Sequence, residues 1–261
     1  MIAGRLAAAL AVLLVGVGCS RGARPALPTG NGTPFPGFES VYAEATAGCR
    51  DAKSVGAELR LSGRAGDQRL RGTISADLLA PSSVRLVGVY LSRPIFYLVA
   101  RDASGTLLLP RDNRVVRDEP PAEIIEALAG VALTPAELRA AVAGCGLGTA
   151  PPTNGRMFSN DWAAVDAGGH TMFLRRVEGR WHVGGAVRPP LTLLYADFKS
   201  GRASTIHVRA GSAADITLRV SQLEINTDIP DKAFELNIPP DVIPLTLDEL
   251  RRAGPLGERA R

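Results

Sequence analysis

Most of the chain between residues 38 and 252 alternates between apolar and polar side chains with a period of two. In the clearest run, residues 70–78 place Leu, Gly, Ile, Ala and Leu on one face and Arg, Thr, Ser and Asp on the other. Such alternation is typical of antiparallel strands with one face on a core and the other in water. The pattern predicts strands near residues 55–64, 69–79, 83–91, 95–101, 106–109 and 113–117, and again near 157–165, 170–177, 180–187, 191–199, 203–209 and 214–226.

Two segments in the middle of the chain have helical periodicity instead. Residues 122–128 carry three large apolar residues on one helical face. Residues 134–137 (Thr-Pro-Ala-Glu) form a capping box with Pro in the first turn, and they predict a helix that ends at Gly144. Further helices are expected over residues 39–50 and, capped by residues 246–249, near the end of the chain.

These elements predict an α+β fold, in which a curved antiparallel sheet forms an open half-barrel of about 11–12 strands. The concave face of such a sheet is too wide for side chains alone to fill. We therefore expect the helices to cover it as lids. The interior is then either an apolar cavity that suits an acyl chain or a dry packed core.

The N-terminus carries the features of a bacterial lipoprotein signal. Arg5 precedes an apolar run over residues 6–15, and small residues follow up to Cys19. A basic start, a short apolar run and small residues define a secretory signal, and the run is too short to span a bilayer of ~30 Å comfortably. We expect residues 1–18 to be removed and Cys19 to be acylated, by palmitate or a similar chain. The alternative is an ordinary signal that is cut nearby, with Cys19 incidental.

The ends of the mature chain are expected to lie outside the folded domain. Residues 20–37 contain four Pro and four Gly, so residues 19–37 are predicted to form an acylated flexible tether. Residues 38–252 form the domain, and residues 253–261 are predicted to be a disordered tail. The expected location is the bacterial cell envelope, lipid-anchored at the outer membrane and facing the periplasm.

Composition narrows the class of function. The chain has a net charge of +4 and is 46% hydrophobic and 21% charged, which is ordinary globular material. So small an excess of positive charge, spread along the chain, predicts no nucleic-acid partner. The three His and three Cys are nowhere clustered, so neither a metal nor a cofactor is expected. The common catalytic motifs are lacking, so we expect no catalytic residues and no enzyme, with a lipoprotein hydrolase as the least supported alternative.

Three short motifs resemble those of a known family. Residues 61–64 (Leu-Ser-Gly-Arg) are similar to the Gly-Arg on the first strand of LolB-like proteins. Residues 130–138, closing at Gly144, are similar to the start of their midchain helix, and residues 234–244 resemble their proline-punctuated ending. With the tether and the strand meander, residues 38–252 resemble the LolA/LolB lipoprotein-carrier superfamily.

The resemblance implies a cavity that binds the acyl chains of lipoproteins or other lipids without covalent chemistry, for their trafficking or insertion at the outer membrane. It also implies a periplasmic carrier protein as a partner. The alternative is a non-enzymatic tethered scaffold or assembly factor with a packed interior. The candidate lining residues are Leu59, Leu61, Ile74, Leu78, Leu86, Phe96, Leu98, Ile125, Leu138, Leu193 and Leu218.

Two cysteines of the predicted domain could form a disulfide. Cys49 falls on the same face of the first predicted helix as Tyr42 and Ala45, and Cys145 follows Leu138 and Val142 on one face of the third. Both cysteines therefore point inward, in an oxidising compartment where disulfides persist. The alternative is two buried free thiols.

Overall fold

The computed structural model describes residues 26–253. The predicted signal peptide (1–18), Cys19, the first part of the tether and residues 254–261 lie outside the described residues. The strands of residues 26–253 are β1 (Thr33–Pro34), β2 (Ser54–Ala65), β3 (Gln68–Leu79), β4 (Ser83–Tyr90), β5 (Arg93–Arg101), β6 (Ser104–Leu109), β7 (Arg114–Glu119), β8 (Pro152–Ser159), β9 (Trp162–Ala167), β10 (His170–Val177), β11 (Arg180–Arg188), β12 (Leu191–Lys199), β13 (Arg202–Ala210), β14 (Ala214–Ile225) and β15 (Ile243–Pro244).

All of these strands belong to one open sheet of 15 strands. Their order is β1-β8-β9-β10-β11-β12-β13-β14-β2-β3-β4-β5-β6-β7-β15. Neighbouring strands are antiparallel except β15, which runs parallel to β7. The long strands β2 and β14 pair in the middle, from Val55 opposite Ile225 to Ala65 opposite Ala214, and so join the two halves of the sheet.

Four α-helices accompany the sheet within residues 26–253. They are α1 (Phe38–Thr46), α2 (Pro121–Ala129), α3 (Pro135–Ala143) and α4 (Leu247–Ala253). We call the face of the sheet that the helices cover the inner face. The sequence folds this way locally because Thr134 and Glu137 form the expected capping box at the start of α3, and Gly144 ends the helix with a left-handed φ of 91°.

The inner face is filled by two apolar clusters. The first lies on strands β8–β14 beneath α1, with Met172, Leu174 and Leu193 fully buried. The second lies on strands β2–β7 beneath α2, with Leu78 and Leu98 fully buried. Because α3 contacts β2 and β3, it lies over the middle of the sheet, between the two clusters. The expected α+β class, with helices on one face of a large open sheet, is confirmed.

Three boundaries differ from the expectation. The predicted strand over 157–165 is two strands, β8 and β9, because the chain turns at Asn160 and Asp161. The helix predicted over 39–50 ends at Thr46. Of the predicted tether, Thr33 and Pro34 pair with β8 as strand β1, opposite Met157 and Arg156, so this stretch lies on the sheet edge. Together with the two-residue strand β15, these changes raise the strand number to 15.

Candidate functional site

A cleft opens at one end of the inner face, between the C-terminal ends of α1 and α3 and the strands β11–β14. Its volume is about 250 Å³. Its wall includes none of the eleven candidate lining residues. The apolar part of the wall is formed by Ala45, Ala47, Val142, Ala143, Trp181, Val183, Phe198, Ala203, Ile206 and Leu223. The wall therefore combines side chains from two helices and four strands.

Charged and aromatic groups surround the mouth of this cleft. Glu44 of α1 accepts a hydrogen bond from the backbone N–H of Trp181 at 3.2 Å, and its carboxylate lies 3.9 Å from the Arg180 guanidinium. The His182 ring lies 5.5 Å from the Phe198 ring. Burial lowers the pKa of His182, and the nearby Arg180 charge lowers it further, so the ring is neutral near pH 7. Arg202 also lines the cleft. The arrangement offers an apolar floor and a charged rim.

Helix α3 closes one side of the cleft with little apolar burial of its own. Its buried residues are Pro135, Ala141 and Val142, which are small compared with the leucines of the sheet. The Tyr195 hydroxyl, from β12, donates to the Ala141 carbonyl at 2.7 Å and accepts from the Gly146 N–H at 3.1 Å. Burial strongly raises the pKa of Tyr195, so this phenol stays protonated. The two hydrogen bonds of Tyr195 therefore add to the packing of Leu138 and Val142 in holding α3 in place.

The predicted disulfide between Cys49 and Cys145 is present, with a Cα–Cα distance of 5.7 Å. It joins the segment after α1 to the segment after α3. The bond lies between the cleft and a second cavity of about 220 Å³, which is lined by Arg50, Glu137 and Arg139 among others. Helix α3 is therefore covalently linked, just beyond its C-terminal end, to the segment after α1.

The N-terminal end of α3 is fixed by an ion pair. Arg188 of β11 hydrogen-bonds to the carboxylate of Glu137, the residue that also caps the helix. Burial raises the pKa of Glu137, but the hydrogen bonds from Arg188 and Thr134 and the Arg188 charge outweigh it and lower the pKa overall. The carboxylate is thus ionised and bonded at neutral pH.

A buried histidine lies near this ion pair. His170 begins β10 and is only 8% exposed, and its Nε2 has no hydrogen-bond partner among residues 26–253. Burial lowers the pKa of His170. A backbone hydrogen bond at Gly168 opposes this shift, while the Arg188 charge adds to it and the Glu137 charge opposes it. His170 is therefore neutral at pH 7.

The eleven candidate lining residues lie within the two apolar clusters and not on the wall of either cavity. Seven of them are buried, and they are Leu59, Leu78, Leu86, Phe96, Leu98, Ile125 and Leu193. The other four are partly buried at the cluster edges, and they are Leu61, Ile74, Leu138 and Leu218. Leu138 of α3 and Leu218 of β14 pack against both clusters. Contact of these residues with lipid stays a prediction.

Two other properties of the described chain bear on the site. No helix within residues 26–253 has the length and apolar character needed to cross a membrane. In the same range, His, Cys, Asp and Glu side chains form no group of three or more that could hold a metal ion.

Comparison with known proteins shows the fold. No family model and no curated protein matches the chain. The structure is similar to the crystal structure of a LolA superfamily protein from Nitrosomonas europaea, with a TM-score of 0.51 and 13% identity over 76% of this chain and 96% of that one. It also matches a DUF1329 family protein from Desulfovibrio piger (TM-score 0.49, 10% identity, 78% and 98% covered). A third match is a putative outer membrane lipoprotein-sorting protein domain from Vibrio parahaemolyticus (TM-score 0.48, 12% identity, 75% and 94% covered). The expected LolA/LolB-like fold is confirmed.

Proposed function

We propose that this protein is a membrane-tethered, lipid-binding protein of the bacterial cell envelope that takes acyl chains of lipoproteins or other lipids beneath α3. The observation that carries the proposal is the cleft between α1, α3 and strands β11–β14, which combines an apolar floor with a charged rim. An amphipathic ligand matches this arrangement, because its chain can enter the floor while its polar end stays at the rim. The LolA/LolB-like fold supports the same conclusion.

The size of the cleft suggests how a ligand would enter. Its volume of about 250 Å³ is slightly below the ~300–1,000 Å³ of typical ligand sites. A long acyl chain therefore needs α3 to move away from the sheet. This movement would break the Tyr195 and Arg188 contacts with the helix, and the Cys49–Cys145 bond would carry the segment after α1 along with it. Such a movement would place Leu138 and Leu218, which contact both apolar clusters, on the path of the chain. Each methylene that leaves water then adds ~0.8 kcal/mol of binding free energy.

The proposal includes a membrane anchor at Cys19. The acylated Cys19 would hold the domain at the outer membrane, facing the periplasm. A soluble periplasmic carrier could then deliver the lipid. The protein would act by binding and release, without covalent chemistry.

A second function is favoured by a specific observation. Both apolar clusters are densely filled, with Leu78, Leu98 and Leu193 wholly buried. A filled interior suits a tethered scaffold or assembly factor of the envelope that binds its partners by its surface.

Binding of an acyl ligand separates the two functions. A chain that begins at Ser20 keeps every residue that the structure describes, and it can be purified from a bacterial periplasm and examined by native mass spectrometry. The carrier function predicts adducts that fragment as acyl lipids, and saturable binding of a fluorescent fatty acid. A clean apo mass without saturable binding would contradict it and favour the scaffold.

A variant pair tests the position of the site. Ala203→Trp fills the cleft from β13, so we expect the affinity for the fluorescent fatty acid to fall about tenfold or more. Ala103→Trp, at an exposed turn between β5 and β6, is the matched control and should bind like the original protein. Equal binding by both variants would place the ligand elsewhere. Circular dichroism confirms that each variant is folded.

A further inference from the structure

The outer face of the sheet, opposite the helices, carries a concentrated positive charge at its centre. Six arginines on the neighbouring strands β13, β14, β2 and β3 are exposed on this face, and they are Arg60, Arg64, Arg69, Arg71, Arg209 and Arg219. We call these six residues the arginine patch. The overall charge of the chain, only +4, gives no hint of it.

The strand register brings these arginines together. Arg60 is paired with Arg219 across β2 and β14, and Arg64 is paired with Arg69 across β2 and β3. Paired residues lie on one face of a sheet, with Cβ atoms ~4.5–5.5 Å apart. Leu59, the neighbour of Arg60 in β2, points into the core, which fixes the arginines on the outer face. Like charges at this spacing repel one another and lower stability, so the folded domain alone gives no reason for the patch.

Few acidic groups balance the patch. Asp215 of β14 lies between Arg209 and Arg64 in the register, and Asp67 lies in the turn between β2 and β3. Together they leave four net positive charges on this area. Glu58 precedes Arg60 by two residues on the same face of β2, so it borders the patch and lowers the local excess to three. Asp77 lies farther along β3 and is paired with Arg85 at 2.8 Å.

The C-terminal segment covers the outer face on one side of the patch. A 3-10 helix (Asp231–Phe234) contacts β4 and β5, and its Phe234 is buried. The Arg101 guanidinium lies 5.9 Å from the centre of the Phe234 ring and donates to the Asp231 carbonyl. The chain then continues to β15 beside β7. The patch begins where this covering ends.

The N-terminal segment lies on the other side. A Cβ added to Gly185 of β11 would come 2.9 Å from Cδ2 of Leu27. Gly185 is opposite Leu194 of β12 and Phe173 of β10, which share the outer face. Leu27 therefore lies on the outer face, two strands or ~10 Å from β13, where the patch starts. Leu27, eight residues after Cys19 in the sequence, therefore lies beside the patch.

We propose that the arginine patch is the surface by which the domain docks on a bilayer that contains anionic phospholipids. This inference rests on the proposed function only in taking Cys19 as the membrane anchor. The eight residues from Cys19 to Leu27 reach at most ~25–30 Å, so the anchor keeps the outer face close to the lipid surface. Each arginine near an anionic surface strengthens binding about fivefold. Docking in this orientation turns α3 and the cleft toward the aqueous side, where a delivering protein arrives.

Vesicle flotation tests the docking surface. The chain that begins at Ser20, which lacks the anchor, is mixed with phosphatidylcholine vesicles prepared with or without phosphatidylglycerol. We expect binding only to the vesicles that contain phosphatidylglycerol, and we expect salt to weaken it because salt screens exposed charges. Binding to both kinds of vesicle alike, or to neither, overturns the proposal.

Two triple variants with the same change in net charge locate the surface. Arg64→Gln/Arg71→Gln/Arg219→Gln should weaken binding to the anionic vesicles about 100-fold. The control Arg93→Gln/Arg111→Gln/Arg117→Gln alters exposed arginines outside the patch and should weaken binding far less. Equal losses in both variants overturn the proposal. The assay uses neither Cys19 nor the cleft, so its outcome is independent of fatty-acid binding, and either proposal can fail without the other.

Discussion

The Tyr195 hydroxyl donates a hydrogen bond to the Ala141 carbonyl at 2.7 Å and so links strand β12 of the sheet to helix α3. The same oxygen accepts from the N–H of Gly146, just beyond the end of the helix. One buried phenol thus serves two backbone groups that water does not reach. This contact adds to the ion pair of Arg188 with Glu137 and to the packing of Leu138 and Val142 in attaching α3 to the sheet.

Removing that hydroxyl should weaken the attachment of α3 to the sheet. We expect Tyr195→Phe to lower the free energy of unfolding by ~1–3 kcal/mol. The buried Gly146 N–H loses its partner, and the Ala141 carbonyl keeps only the longer bond from the Gly144 N–H, at 3.2 Å. Urea denaturation monitored by circular dichroism measures the change. Tyr97→Phe is the control, since the Tyr97 hydroxyl has no hydrogen bond among residues 26–253, and it should change stability little. A Tyr195→Phe variant as stable as the control would show that the hydroxyl is not an anchor.

The disulfide should contribute strongly to stability. Cys49 and Cys145 are 96 residues apart in sequence, so their bond removes much of the entropy of the unfolded chain. We expect Cys49→Ala/Cys145→Ala to lower the free energy of unfolding by up to ~4–5 kcal/mol on the loop-entropy model. Equilibrium unfolding of the two proteins in urea measures this difference.

A thiol assay provides the control for the disulfide. A chain that begins at Ser20 contains only these two cysteines. When this chain is unfolded without reductant, we expect a thiol reagent to label no cysteine. After reduction, we expect it to label both cysteines. Two reactive thiols before reduction would be evidence against the bond.

The sequence predicted the elements whose formation depends on neighbouring residues, namely the long strands and the capped helices. The alternation over residues 70–78 became β3, with Leu70, Ala76 and Leu78 buried. The capping box at Thr134 and the stop at Gly144 gave α3 its observed ends. Short edge strands have no such signal, because they depend on distant pairing. Thr33, for example, lies opposite Met157, 124 residues away.

The cleft was not predicted because the candidate lining residues are mostly the most apolar positions of the strands. The helices that cover the inner face bury such positions completely, as they do Leu78 and Leu98. The cleft instead forms where helix and strand ends meet, and small or polar residues such as Ala45 and Ala203 leave the space. The signal that was available is Trp181, an aromatic residue on the inward face of β11, beside charged neighbours.

Stability should decrease as the pH falls through the range where histidine titrates. The folded protein lowers the pKa of His170 below its usual value of 6.5, chiefly by burial. Below pH 6.5 the unfolded chain then binds more protons than the folded one, so stability falls until the pH reaches the folded pKa. Glu137 has a folded pKa below 4.5, so its stabilisation is fully present above pH 4.5 and does not confound this range.

His170→Gln is expected to flatten this pH dependence. Thermal melting points of the original protein should fall as the pH decreases from about 7 to about 5, and those of His170→Gln should fall less. His182→Gln is the matched comparison. Its pKa is also lowered by burial, but the side chain is more exposed than that of His170, so it should flatten the profile less. Identical slopes in the original protein and His170→Gln would refute the role of His170.

Gly63 of the Leu-Ser-Gly-Arg motif should tolerate no side chain. Its φ is +137°, a conformation that L-residues rarely adopt, and an added Cβ would come 2.8 Å from Cα of Ile216 and closer still to the Asp215 carbonyl oxygen. Both obstacles are backbone atoms of β14, so neither can rotate away. We expect Gly63→Ala to lower the free energy of unfolding by about 3 kcal/mol or more, as measured by urea denaturation.

Gly56→Ala, in the same strand, is the matched control for Gly63→Ala. An added Cβ there would lie 3.9 Å from Cβ of Glu224, an ordinary contact, and φ at Gly56 is not positive. Reduced freedom of the unfolded chain should then raise stability by ~0.4–1 kcal/mol. The free energy of unfolding should fall for Gly63→Ala and rise for Gly56→Ala. This difference would show that the effect at Gly63 comes from its backbone conformation and not from the Gly-to-Ala change in general. If Gly63→Ala proved as stable as Gly56→Ala, the close approach of β2 and β14 at Gly63 would be wrong, and with it the register that assembles the arginine patch.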